Sequence, residues 1–128
     1  MRACWLKWVG RDWSISADYI WLNYSGANIG QVFVHAGVDE EAGEYWKLGT
    51  PNVSFVTMPP DYVGREFYLD VIAGHINTEA VSGIAGYRGI WHDGASHYYI
   101  DGNVMKNGEV AVLSYDSETG KYSGQGLE

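Results

Sequence analysis

Ile90 to Gly102, IWHDGASHYYIDG, gathers the side chains best suited to chemistry: two of the chain's four histidines, one of its six tryptophans, two adjacent tyrosines and two aspartates. Imidazole and carboxylate exchange protons near neutral pH. The same groups ligate metals, and indole and phenol rings offer rigid stacking faces with a polar tip. Gly94-Ala95 suits the centre of a type II′ turn, which takes glycine first. That turn predicts a hairpin in which Asp93 faces Ser96, His92 faces His97, Trp91 faces Tyr98 and Ile90 faces Tyr99. His92 and His97 then lie side by side on one face, and Trp91 stacks on Tyr98 on the other.

Three chemistries compete for this stretch. As a metal clip, the histidine pair needs at least a third ligand from His35, His75 or a carboxylate, and no metal or other cofactor is expected. As a catalytic group, His92, His97, Tyr99 and Asp101 are the candidates for general acid–base work in an aromatic-lined pocket. Adjacent strand residues point to opposite faces, so Asp93 is not placed to orient His92, and Ser96 lies in no nucleophile-elbow context. As a binding surface, Trp91, His92, Asp93, His97, Tyr98, Tyr99 and Asp101 combine stacking rings with hydrogen-bonding groups, the mixture that a sugar requires.

A second pattern occurs twice. Asp39, Glu41, Gly43 and Tyr45 share the spacing D-x-E-x-G-x-Y with Asp116, Glu118, Gly120 and Tyr122. Alternate carboxylates in a glycine loop can hold a hard cation, which makes Asp39, Glu41, Asp116 and Glu118 weak metal candidates. The full EF-hand spacing is absent, and turn chemistry accounts for the pattern: aspartate opens a turn and glycine takes its left-handed position.

These residues need elements to position them. CWLKWV (4–9) reads as a first strand. From Trp13 to Tyr24, period-two alternation predicts a second, with a helix as the rival. GQVFVHAG, EYWKL, NVSFVTM and REFYLDVIA read as further strands, and residues 75–86 as a loop with one helical turn. Asn107-Gly108 predicts a type I′ hairpin joining strands 103–106 and 109–115. The sum is an all-β domain, an antiparallel β-sandwich or small β-barrel of about 8–10 short strands.

At 128 residues, with 46% hydrophobic and 19% charged, the chain reads as one all-β domain over 1–126, with 127–128 as a cloning remnant. The net charge of −8 argues against nucleic acid and anionic lipid as partners. Cys4 is the single cysteine, so no internal disulfide forms. No apolar run has the length of a transmembrane segment, and the start lacks a signal-peptide core. These features fit a cytoplasmic protein or a secreted one without its leader, and a homo-oligomer is compatible with both.

The function expected from these features is non-catalytic: a lectin-like domain binding a small-molecule or carbohydrate ligand through aromatic side chains. One alternative is a small barrel enzyme of cyclase or isomerase type. The other is an acidic inhibitor that captures a basic protein with a carboxylate surface around Asp39, Glu40, Glu41 and Glu44.

Overall fold

Three runs, QVFV (31–34), VIAG (71–74) and HYYID (97–101), carry apolar or aromatic residues with little polar alternation. Strands buried on both faces read this way, and such strands are commonly parallel. The structure is a computed structural model. It describes the strands Cys4–Val9, Asp12–Ala17 and Tyr24–Ser25, together with residues 30–57, 62–116 and 118–127. Its elements are β1 (Cys4–Val9), β2 (Asp12–Ala17), β3 (Tyr24–Ser25), β4 (Gln31–Val34), a 3-10 helix (Glu40–Tyr45), α1 (Trp46–Gly49), α2 (Asn52–Val56), β5 (Asp70–Asn77), α3 (Thr78–Ser82), β6 (Trp91–His92), β7 (His97–Asp101), α4 (Val104–Asn107), β8 (Val112–Asp116) and β9 (Lys121–Gly124).

Two sheets result. One is antiparallel, in the order β1-β2-β8-β9, and the other is mixed, in the order β3-β4-β5-β7-β6. In the mixed sheet β4, β5 and β7 run parallel, and β3 and β6 pair antiparallel at its edges. The expected all-β sandwich or barrel is therefore overturned: the chain is a mixed α/β fold. The physical reason is the parallel pairing. A chain leaving the end of β4 must return to the start of β5 before pairing with it, and that needs a long crossover. The crossover lies between β4 and β5, so EYWKL and residues 52–56 of NVSFVTM fall in helical turns, not strands. Trp46 is buried and anchors α1, and the Thr50 hydroxyl and N–H both donate to the Trp46 carbonyl to close its last turn.

Asn107-Gly108 also departs from expectation. Val104–Asn107 is a helical turn, and Gly108 is its left-handed cap at φ 75°. The preference for positive φ that makes Asn-Gly a hairpin turn serves a helix end equally well. Residues 103–106 therefore form no strand, and β8 starts at Val112. β1 and the start of the second predicted strand agree with the sequence reading, while residues 18–23 lie outside the described residues. The 75–86 segment contains α3, capped by Asn77, whose side chain accepts from the Ala80 N–H.

The mixed sheet is covered on both faces. On one, Val32, Val34, Val71, Ala73 and Tyr99 pack with Val38 and Trp46 of the crossover, flanked by Phe55, Val63, Phe67 and Trp91. On the other, Phe33, Ile72, Ile90 and Ile100 meet Ala111 and, on β8 of the antiparallel sheet, Leu113. Leu127 packs against this second cluster.

Candidate functional site

The β6–β7 connection is built around Asp93. Its Oδ1 accepts from the N–H groups of Ala95 (2.8 Å) and His97 (3.1 Å), an aspartate-centred turn. Its Oδ2 accepts from the Gly64 N–H (2.7 Å) and lies 2.6 Å from His97 Nδ1. This four-residue loop displaces the register by one from the two-residue turn expected. Trp91 pairs with Tyr99, and His92 with Tyr98. A one-residue slip exchanges faces, so His92 stacks on Tyr98 (4.2 Å, 15°) and not beside His97. Trp91 lies against Tyr99 (5.8 Å) and not against Tyr98.

His97 is the centre of the arrangement. Its Nε2 lies 2.6 Å from Oε2 of Glu40, at the start of the 3-10 helix. Side-chain exposure is 4% for His97, 8% for Glu40 and 0% for Asp93, so the line Asp93–His97–Glu40 is almost wholly withdrawn from water. Burial alone pulls the imidazolium's pKa down. The hydrogen bond and charge of Glu40, joined by those of Asp93, outweigh it and hold His97 above its ordinary value. For Asp93, burial pushes upward, but the N–H groups of Gly64, Ala95 and His97, with the imidazolium's charge, carry it below the usual carboxylate range. An imidazolium donating from both nitrogens fits both shifts.

Neighbours fix this line. Asp39 caps the 3-10 helix, accepting from the Glu41 N–H (3.1 Å) and the Tyr62 hydroxyl (2.9 Å). Its own N–H donates to Thr50 Oγ1. The buried Ser96 hydroxyl accepts from the Phe67 N–H (2.8 Å) and donates to the Phe67 carbonyl (3.1 Å), tying segment 65–67 to the turn. Tyr99 lies nearly parallel to the imidazole at 6.3 Å. Burial, with the charges of Asp93 and Glu40, drives its phenol pKa far upward, so it stays protonated. Glu40 then borders a cleft of about 150 Å3, lined also by Glu41, Tyr62, Arg65, Glu66 and Phe67.

The other candidates lie elsewhere. Tyr98 faces the antiparallel sheet and packs at a tilt against Tyr122 (4.2 Å), and burial with the charges of Asp70 and Asp93 pushes its phenol up to about 12. His92 Nε2 contacts the Ala95 carbonyl (3.1 Å). Asp101 is buried at the far end of β7, where it accepts from the Asn103 N–H (2.9 Å). Four residues of strand separate it from His97 by roughly 13 Å. The structure thus brings together Asp93, His97, Tyr99 and Trp91, and separates them from His92, Tyr98 and Asp101.

His35 and His75 form their own pair, with ring centroids 4.2 Å apart. His75 takes a left-handed φ of 63° where the β5–β7 register shifts. Asp116 binds the N–H groups of Glu118 and Thr119 as a turn former, as Asp39 binds that of Glu41. Among the described residues no three histidine, cysteine or acidic side chains converge to hold a metal ion. Asp93, His97 and Glu40 are collinear in function, with the imidazole between the carboxylates.

Glu40, Tyr62 and Arg65 are legible in the sequence only as an acid among acids and as loop residues. The Glu40–His97 contact spans 57 positions, and no local spacing encodes it. Among the described residues, most large rings are engaged between layers. The lectin-like, carbohydrate-binding expectation rested on an all-β fold displaying its aromatics, and it loses that basis. No protein-family model, curated protein or solved structure matches this chain.

Proposed function

We propose that this chain performs acid–base chemistry on a small polar substrate, with Glu40 as the group that exchanges the proton. The supporting observation is the buried line Asp93–His97–Glu40, with both contacts at 2.6 Å, ending at a cleft. Asp93 holds the ring through Nδ1, His97 orients and electrostatically supports the Glu40 carboxylate through Nε2, and Glu40 takes or returns the substrate proton. Arg65, exposed at the cleft, is suited to hold a negative charge that develops on the substrate. The cleft is about half the size of the smallest ordinary ligand pockets, so it admits one functional group of a substrate that lies across the surface.

The test is turnover of a chromogenic panel of esters, amides, glycosides and phosphomonoesters between about pH 5 and 8. One class should be turned over, and folded Glu40→Gln should lose about a hundredfold or more of that rate. No turnover of any class, or an unchanged rate in folded Glu40→Gln, would sink the reading.

A second reading is non-catalytic binding of a small ligand at the same cleft. What supports it is the cleft itself, beside a line whose near-complete burial suits a latch between the 3-10 helix and the sheet. An acidic capture surface is less well supported. Of the four acids in its centre only Glu41 and Glu44 are exposed, since Asp39 binds Tyr62 and Glu40 binds His97.

A further inference from the structure

Beyond the carboxyl end of β7, away from His97, lies a separate cavity of about 360 Å3. Its lining includes Arg88, Asn103, Lys106, Tyr87 and Glu79. The chain has only eight lysines and arginines against sixteen acids, yet two of the eight border this one cavity. The Arg88 guanidinium reaches Glu109 only at 4.0 Å, and both side chains are more than half exposed, so that pair is weak and readily exchanged. Glu79 is occupied in accepting the Gly86 N–H, and the Asn107 amide donates to the Gly102 carbonyl (2.6 Å). Tyr87 donates its hydroxyl to the Ile90 carbonyl (2.6 Å). The cations and the Asn103 side chain are the donors left to meet a ligand, with the Glu79 carboxylate also at the lining.

We infer that this cavity binds a small molecule carrying one phosphomonoester group, with Arg88 and Lys106 on the phosphoryl oxygens. Two cations match the charge of a phosphomonoester, close to −2 at neutral pH. Guanidinium and ammonium are the usual donors to its oxygens. A lone carboxylate leaves one cation unmatched, and a polyphosphate or nucleic acid is repelled by the net charge of −8. The Asn103 amide is placed to bind hydroxyls on the organic part. Glu109 competes with the ligand for Arg88.

The experiment is amide NMR titration of the whole chain with glycerol 3-phosphate, and with acetate as the carboxylate arm. The expected result is saturable shifts centred on residues 86–88 and 102–107 with glycerol 3-phosphate and none with acetate. Arg88→Gln with Lys106→Gln should weaken binding by about tenfold or more, and Glu109→Gln should tighten it. All three side chains are exposed, so these variants leave the core intact. Shifts centred elsewhere, equal response to acetate, or unchanged binding in the double variant would overturn the proposal. The acid–base reading stands or falls separately, because none of these residues borders the Glu40 cleft.

Discussion

His97 between two carboxylates makes stability depend on pH in a defined direction. Its folded pKa lies above the ordinary 6.5. Its contribution is therefore complete below 6.5 and disappears as pH rises through the folded value. Asp93 lies below its ordinary 3.8, so its contribution is present above 3.8 and disappears as pH falls through the folded value. Denaturation midpoints across pH should show a plateau between these limits. His97→Asn should abolish the alkaline decline and cost about 3–5 kcal/mol, since it leaves two buried carboxylates without their cation. A midpoint that falls above pH 6.5 equally in both proteins would remove His97 from this role. A second residue argues in the opposite direction. Thr78 is fully buried, and its hydroxyl has no hydrogen-bond partner among the described residues. Thr78→Val should therefore raise stability by about 1 kcal/mol in a thermal melt. A loss instead would show that the hydroxyl holds a buried water.

Elements in this fold are held by close backbone approaches as much as by side chains. A Cβ on Gly102 would sit 2.1 Å from the Arg88 carbonyl oxygen. Gly102→Ala should push the 88 segment off the end of β7 and cost about 1–3 kcal/mol, measured as a lowered denaturant midpoint. A neutral result would mean that the two segments part freely. Much at this scale is legible in the sequence and some is not. The apolar runs at 32–34 and 71–74 suit strands buried on both faces, and β2 follows from alternation. Trp46 and Phe55 sit in short runs whose apolar content suits a strand as well as a helical turn. What decides between them is the crossover that parallel pairing imposes, which is a property of distant partners. The site shows the same division. Asp93 and His97 stand out by residue type, but the hairpin slips by one register because Asp93 bonds the backbone of Ala95 and His97. Glu40 reaches the ring only once the crossover has folded over the sheet.

At the scale of the molecule, one tyrosine joins the layers. Tyr122 on β9 accepts from Gln31 Nε2 (2.7 Å) and donates to Asp70 Oδ2 (2.7 Å), at the starts of β4 and β5. Its ring packs against Tyr98 and Tyr115. Burial, reinforced by Asp70, raises its phenol pKa far above the ordinary value. Tyr122→Phe keeps the ring and removes both bonds, one of them to a carboxylate. A loss of about 1–3 kcal/mol is expected, with increased proteolysis between the sheets, and unchanged stability would show that the ring alone joins them. The order in which these parts appear has a further consequence. Gln31 and Asp70 precede Tyr122 by 91 and 52 positions. During synthesis β4 and β5 emerge long before β8 and β9, the strands that cover their second face. Until β8 and β9 have been made, a nascent chain exposes Phe33 and Ile72, a window in which a holdase chaperone has a surface to grip and native closure does not yet compete.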